Sequence, residues 1–196
     1  MVTSPKLLEA FRLFDEANSN DPNVEFHEGK TYPKELLYAK RMTDTLNDFL
    51  PDASEALQLT ARCQHIRRWE IPRESYEMNR VGYLKWRQDL KKYHAQKASE
   101  ILKQVGYGEE LIAKVEFLLL KKQLKKSEET QTLEDVICLV FLKFYFESFA
   151  QKHENDKLID ILQKTWRKMS SKGQEAALEL PLSMASLELV KKAISA

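Results

Sequence analysis

Apolar residues recur at helical spacing along most of the chain. The first stripe follows Ser4 and Pro5, a pair typical of a helix N-terminus. Its members are Leu7, Leu8, Phe11 and Phe14. The same periodicity returns later in the chain and predicts about seven to nine helices in all. After the first, these are expected over about 34–50, 54–69, 83–105, 110–123, 133–149, 157–170 and 183–195.

Two stretches depart from this pattern, one because it is more apolar and the other because it is more polar. The segment from Leu133 to Phe149 is apolar on nearly every side, which predicts a buried, central helix. The polar stretch from about Asn18 to Pro33 is rich in Asn, Asp, Pro and Gly, and is predicted to be a long loop. A second irregular connection is predicted from Glu70 to Gly82, where Pro72 and Asn79 interrupt the helical pattern.

Composition supports an all-α fold in one domain. A chain of 196 residues is long enough for one substantial core and short for two. With only 5 glycines and 6 prolines, it lacks the frequent turns of a β-sandwich or barrel. We therefore predict a single helical domain over residues 1–196.

Charge and cysteine usage narrow the class of protein further. The net charge is +1, from 31 basic and 30 acidic side chains, so no global field favours nucleic acid or an anionic membrane. A local basic patch on the surface is still an alternative. Cys63 and Cys138 lie in apolar helical segments and are interpreted as buried thiols, with a disulfide between them left open. Without a signal peptide or an apolar run of roughly 20 residues, a cytoplasmic location is predicted.

Two histidines fall on predicted core faces. His94 lies in a series with Leu90 and Ala98 at a spacing of four residues. His65 follows Leu57 and Ala61 at the same spacing on the preceding helix. A core histidine bonded to a carbonyl or carboxylate explains either one alone. Because two such residues come from neighbouring helices, a shared site is an equal alternative.

Glu134 and Asp135 open the apolar helix. Asp135 stands three residues after Thr132, which is the spacing of a capping box, and an acid at this position also favours the helix dipole. The alternative is that a carboxylate on so buried a helix faces the two imidazoles. Neutral histidine and oxygen ligands suit a divalent first-row metal.

Basic and aromatic residues cluster between the two histidines. The cluster consists of Arg67, Arg68, Trp69, Arg73, Arg80, Trp86 and Arg87. Guanidinium groups bind phosphate in a bidentate manner, and an indole ring can stack on a base. The alternative is a solvated surface interleaved with acids.

A short motif near the C-terminus imitates a known signature. Residues 168–172 read KMSSK, like a motif of class I aminoacyl-tRNA synthetases. That motif acts on a nucleotide-binding sheet, and this chain shows no alternation of strands and helices. We interpret KMSSK as the end of a helix before Gly173, and we do not expect a synthetase.

Several longer blocks together resemble an uncharacterised family known as the DUF4202 domain. In order, the blocks are DPN, PKELLYAKRM, PDASEALQL, ARCQHIRRWEIPR, GYLKWRQDLKKYHA, LEDVICLVFL, FAQKH and KTWRKMSSKG. The resemblance runs from about residue 6 to the C-terminus, and no established activity comes with it.

The helix order also resembles a divergent HD-domain phosphohydrolase. That resemblance implies a metal held by His65, His94 and Asp135, in an all-helical fold that hydrolyses a phosphoester. Ile66 stands where the family has the paired aspartate, and the second helix offers Tyr38 in place of a histidine.

The leading hypothesis is a metal-dependent phosphohydrolase acting on a small phosphorylated metabolite or a nucleotide. His65, His94 and Asp135 would hold a divalent metal, and Glu134 would orient water or the ligand. Phosphate would be bound by Arg68, Arg73 and Arg87, with Trp69 beside them. One alternative is a non-catalytic module that binds a nucleotide or RNA on the same scaffold. The other is a helical interaction protein in which the histidines are structural.

Overall fold

The computed structural model describes residues 4–195 and divides the chain into two compact units. Unit 1 is Met1–Lys122 and unit 2 is Gln123–Ala196. Apart from one two-stranded hairpin, the regular secondary structure of the described residues is helical, so the predicted all-α class is confirmed. Within residues 4–195, every helix is too short or too polar to cross a bilayer.

From residue 4 onwards, unit 1 contains five α-helices and the hairpin. These are α1 (Pro5–Ser19), β1 (Val24–His27), β2 (Lys30–Pro33), α2 (Lys34–Phe49), α3 (Glu55–Cys63), α4 (Arg80–Val105) and α5 (Glu109–Leu119). Ser4 caps α1 as predicted, because its side chain accepts a hydrogen bond from Leu7 N. Gly106 closes α4 at φ 85°, a left-handed conformation that glycine adopts without a steric penalty.

The core of unit 1 lies where α1 packs on α2, α3 and α4, and where α5 packs on α3 and α4. Its largest fully buried side chains include Phe14, Met42, Leu46, Leu59 and Leu102. Burying each of these side chains contributes about 1.5–3 kcal/mol. Of the stripe predicted from helical spacing, Leu7 and Phe14 are buried and Phe11 is half-buried, but the prediction is wrong for Leu8, which is 55% exposed.

The predicted loop from Asn18 to Pro33 is wrong over its second half, which forms the hairpin. β1 and β2 pair in antiparallel register, with Val24 opposite Pro33 and His27 opposite Lys30. Glu28 and Gly29 both have positive φ, at 49° and 78°, as a tight two-residue hairpin turn requires. The strands are short and the turn begins with glutamate rather than asparagine or aspartate, so the sequence signal is weak.

The third predicted helix ends earlier than expected, at Cys63 instead of Trp69. Arg67 breaks the helical path with a left-handed φ of 52°. The buried Asn18 accepts a hydrogen bond from Arg67 N through Oδ1 at 3.0 Å and so stabilises this turn. His65 consequently lies on a turn, and a short 3-10 segment, Arg68–Glu70, follows it.

Gly82, in the first turn of α4, is required by a close backbone approach. A Cβ at this position would lie 2.1 Å from the carbonyl oxygen of Glu77, which itself accepts a hydrogen bond from Arg73. We expect Gly82→Ala to lower the free energy of unfolding by about 1–3 kcal/mol, because the backbone must move to relieve the overlap. Urea unfolding followed by circular dichroism measures this loss. Gly108→Ala is the matched control, since a Cβ at Gly108 would meet no other atom within 4 Å; equal losses in both variants would contradict the prediction.

Unit 2 is built around the apolar helix. Its elements are α6 (Glu128–Val140), a π-helical segment (Phe141–Tyr145), α7 (Phe146–Ala150), α8 (Asn155–Lys168), α9 (Ser171–Leu178) and α10 (Met184–Ile194). α6 packs on α8 and α9, while α10 packs on α7 and α8. Leu133, Val136, Val140 and Phe146 are each at most 1% exposed, so burial of the apolar segment within its unit is confirmed.

The KMSSK motif joins two helices. Lys168 ends α8, and Ser170 caps α9 by accepting a hydrogen bond from Gly173 N at 3.1 Å. The expectation that a helix ends here before Gly173 is confirmed by the end of α8 at Lys168, whereas Gly173 itself lies in α9, a helix that the periodicity did not predict. A Cβ at Gly173 would meet the side chain of Asp135 at 2.6 Å, so α9 packs closely on α6 at this position.

Candidate functional site

His65 and His94 lie in one cluster within unit 1. His94 projects from α4 and is 4% exposed, and His65 stands on the turn after α3 with 23% of its side chain exposed. Their ring centroids are 5.9 Å apart. Tyr38, on α2, stacks on His65 at a centroid distance of 4.1 Å and an interplanar angle of 10°. Three helical segments thus build a layered group of rings that reaches the surface at His65.

The hydrogen bond of His94 fixes its tautomer. Nδ1 lies 2.8 Å from the carbonyl oxygen of Ile66, which can only accept, so Nδ1 carries the proton and Nε2 is left as an acceptor. Burial lowers the pKa of His94 to about 3, and the neighbouring His65 contributes in the same direction. His94 is therefore a neutral imidazole at physiological pH. Ile66, which replaces the aspartate of the resembled pattern, contributes its backbone to this contact.

His65 stands between an acid and a guanidinium. Its Nδ1 lies 3.3 Å from Glu35 Oε2 and 3.5 Å from Arg68 Nη1. Burial lowers the pKa of His65 well below its ordinary value, and the nearby charge of Arg68 lowers it further. The two contacts require opposite tautomers, because a guanidinium N–H can only donate to Nδ1, whereas a hydrogen bond to the Glu35 carboxylate requires the proton on Nδ1. In either tautomer His65 is a neutral imidazole at neutral pH.

Glu35 is the member of the cluster that the sequence interpretation missed. It is 6% exposed in the first turn of α2, where Asp21 Oδ2 accepts a hydrogen bond from its backbone N at 3.0 Å. Burial raises the pKa of Glu35, an effect that the charges of Arg68 and Lys34 oppose. Its spacing of three residues from Tyr38 was the available signal, since residues so spaced share a helix face.

The charges of four cationic side chains act on His65. Its pKa is depressed by the charges of Arg68, Lys121, Arg87 and Lys34, which come from four separate segments of unit 1. The Arg68 guanidinium lies 5.1 Å from the ring centroid of Trp86, whose Nε1 donates to the carbonyl oxygen of Ile71 at 2.8 Å. Four positive charges that act on one neutral imidazole favour an anion beside it.

Arg73 and Trp69, both predicted to bind a ligand, have different surroundings. The Arg73 guanidinium donates to three backbone carbonyls, those of Tyr76, Glu77 and Asn79, at 3.2, 2.7 and 3.2 Å. These bonds shape the loop before α4 and occupy much of the donor capacity of Arg73. Trp69 lies in the 3-10 segment after His65 and is half-buried.

Asp135 and Glu134 belong to unit 2. Asp135 is 2% exposed and accepts hydrogen bonds from Ser170 N at 2.8 Å, Ser170 Oγ at 2.5 Å and Gln131 Nε2 at 3.0 Å. These contacts attach the start of α9 to α6. Glu134 is 4% exposed, with Lys168 Nζ 4.0 Å away. Both acids are buried, as the sequence indicated, and Asp135 carries a structural role inside its unit.

The donor set offers a direct test of metal binding. Across residues 4–195, no three His, Cys, Asp or Glu side chains are grouped so that they could hold a metal ion. In unit 1, Nδ1 of His94 is bound to a carbonyl and Nδ1 of His65 faces Glu35. The residues as placed do not fit a three-ligand centre. The metal role of His65, His94 and Asp135 stays a prediction from the sequence.

Unit 1 is thus a mainly helical scaffold that holds two neutral histidines beside a buried acid. The chain belongs to the family described as "Domain of unknown function (DUF4202)", whose family model matches residues 8–190. The resemblance predicted from the sequence blocks is confirmed, while the likeness to HD-domain enzymes stays a prediction. Comparisons with curated proteins and with solved structures found no match.

Proposed function

We propose that unit 1 binds the phosphate group of a small phosphorylated molecule beside His65 and promotes hydrolysis of its phosphoester. The observation that carries the proposal is the state of Arg68 and Arg87. Both act electrostatically on His65, yet within residues 4–195 neither forms an ion pair with a carboxylate. Within the same residues, Arg68 makes a long contact to His65 and a ring contact to Trp86 and acts on the buried Glu35 through its charge, and Arg87 makes a ring contact to Tyr83.

Guanidinium groups that form no ion pair within residues 4–195 favour an anionic ligand. Each guanidinium presents planar N–H donors that match two phosphate oxygens, and charge-assisted bonds of this kind are about twice as strong as neutral ones. The charges of Lys34 and Lys121 also act on His65. A phosphate monoester dianion satisfies this arrangement better than a carboxylate, because it carries more charge and more acceptor oxygens.

The imidazole of His65 supplies the chemistry in this proposal. In the tautomer whose Nδ1–H donates to Glu35, Nε2 takes a proton from a water molecule that attacks phosphorus, the P–O bond to the ester oxygen breaks, and the His65 imidazolium gives the proton to the leaving alcohol. The arginines stabilise charge on the phosphoryl oxygens. Glu35 orients the ring and stabilises the imidazolium that forms. No step is assigned to a metal. The non-catalytic binding module and the cytoplasmic location predicted from the sequence stay predictions.

Calorimetric titration with ribose 5-phosphate tests the binding site. We expect Arg68→Met and Arg87→Met each to weaken binding by about tenfold or more, since a hydrogen bond to a charged group contributes about 1.5–3 kcal/mol. Arg12→Met is the matched control, because this arginine pairs with Glu9 on the surface of α1. Unchanged affinity in both site variants, or no binding by the wild type, would refute the proposal.

Phosphate release from a panel of phosphomonoesters tests the chemistry in the same preparation. His65→Gln is expected to abolish turnover and to keep ligand affinity within a few fold. If the wild type binds but releases no phosphate, the site is a binding module. Metal content, measured by mass spectrometry after purification without chelator, tests the predicted metal independently.

A further inference from the structure

We propose that Tyr83 is a stacking surface for an aromatic base and that the ligand of this site is a nucleoside phosphate. The proposal rests on the phosphate site beside His65 and names the class of molecule that occupies it. Tyr83 lies in the first turns of α4 and is 42% exposed. It was not among the residues singled out by the sequence pattern.

Arg87 connects Tyr83 with the phosphate site. Its guanidinium carbon lies 5.8 Å from the Tyr83 ring centroid, and its charge also acts on His65. The two residues are four positions apart on α4 and therefore lie on the same face, about one helical turn from each other. The ring centroid of Trp86 lies 5.1 Å from the Arg68 guanidinium carbon and 5.9 Å from the Tyr83 centroid, so a molecule whose phosphate binds Arg68 and Arg87 lies beside the Tyr83 ring.

The ring of Tyr83 is supported by neighbours that are fixed. Arg73, 6.0 Å from the Tyr83 centroid, is anchored by its three carbonyl contacts. Trp86, 5.9 Å away between centroids, is 8% exposed and anchored through its indole N–H. A rigid, partly exposed aromatic ring loses little conformational entropy when a ligand stacks on it.

The surroundings of Tyr83 are apolar as well as cationic. The ring of Tyr83, 42% exposed as a residue, is an apolar surface beside the guanidinium groups of Arg73 and Arg87. A sugar phosphate without a base would leave this surface in water, whereas a nucleobase would cover part of it. Base–aromatic stacking depends on the π-face that every base has, so this surface favours nucleotides as a class and does not select among bases by hydrogen bonding.

Calorimetric titration with adenosine 5′-monophosphate and with ribose 5-phosphate tests the inference, because the two probes share a phosphate and differ in the base. We expect the wild-type chain to bind the nucleotide about tenfold to a hundredfold more tightly than the sugar phosphate. Tyr83→Ala is expected to remove this preference and to leave sugar phosphate affinity within about twofold. Tyr83→Phe should retain the preference.

Tyr32→Ala is the matched control, since this half-buried hairpin tyrosine also has a cation, Lys40, 5.8 Å from its ring. It should leave both affinities unchanged. Equal affinity of the two probes for the wild type overturns the nucleotide inference and leaves the phosphate site intact, as does an unchanged preference in Tyr83→Ala. Binding of neither probe overturns both proposals.

Discussion

Acidification below pH 6.5 is expected to destabilise the fold of unit 1 through His94. Above that pH, His94 is neutral in both the folded and the unfolded state, so it makes no pH-dependent contribution to the free energy of unfolding. Between 6.5, its ordinary pKa, and about 3, its pKa in the folded chain, only the unfolded state binds the proton. The free energy of unfolding therefore falls by about 1.4 kcal/mol per pH unit, or about 2 kcal/mol at pH 5.

Urea unfolding measured from pH 7.5 to pH 4 checks this expectation, with His94→Asn as the matched variant. Asparagine can still donate to the Ile66 carbonyl, and it does not titrate. The difference in stability between wild type and variant should shift in favour of the variant by about 2 kcal/mol between pH 7 and pH 5. Parallel curves for the two proteins would show that burial of His94 does not govern its protonation.

Replacing Asp135 by alanine is expected to lower the free energy of unfolding of unit 2 by about 3–5 kcal/mol. The substitution removes one carboxylate that accepts three hydrogen bonds, two from Ser170 and one from Gln131. Each hydrogen bond to a charged acceptor contributes about 1.5–3 kcal/mol, and the donors left behind lie in a partly buried place. The start of α9 would lose its attachment to α6.

Thermal and urea unfolding of the full chain measure this loss. Asp135→Asn should be milder, because its remaining carbonyl oxygen can accept one of the Ser170 bonds while its amide faces other donors. Asp156→Ala, at an exposed acid in the first turn of α8, is the matched control and should change stability by less than about 1 kcal/mol. If Asp135→Ala lowered the free energy of unfolding no more than the control does, Asp135 would not have this structural role.

The local sequence predicts the end of a helix correctly where a capping residue marks that end. Ser4 with Pro5 located the start of α1, and Gly106 located the end of α4. The end of α3 could not be predicted this way, because the left-handed conformation of Arg67 is stabilised by Asn18, a residue distant in sequence. The hairpin and α9 were missed for a related reason: each is short and depends on contacts outside its own segment.

The candidate site also contains one residue that the local sequence predicts and one that it does not. Helical spacing placed His94 on a core face, and its burial at 4% exposure agrees with that interpretation. Glu35 escaped notice because an acid in the first turn of a helix usually faces water and favours the helix dipole. Its burial follows from how α2 begins, with Asp21 accepting the hydrogen bond from Glu35 N, and this tertiary contact has no local periodic signal.

The π-helical segment of unit 2 determines which side chains can meet along the apolar helix. In an α-helix, consecutive residues are rotated by about 100°, so positions five apart point in different directions. The wider turn at Phe141–Tyr145 brings Phe141 and Phe146 into an edge-to-face contact, with centroids 5.9 Å apart. The number of residues in this one turn thus determines the direction in which every following side chain points around the helix axis. One residue fewer would leave a continuous helix, yet every side chain after it would point about a quarter-turn away from its present neighbours.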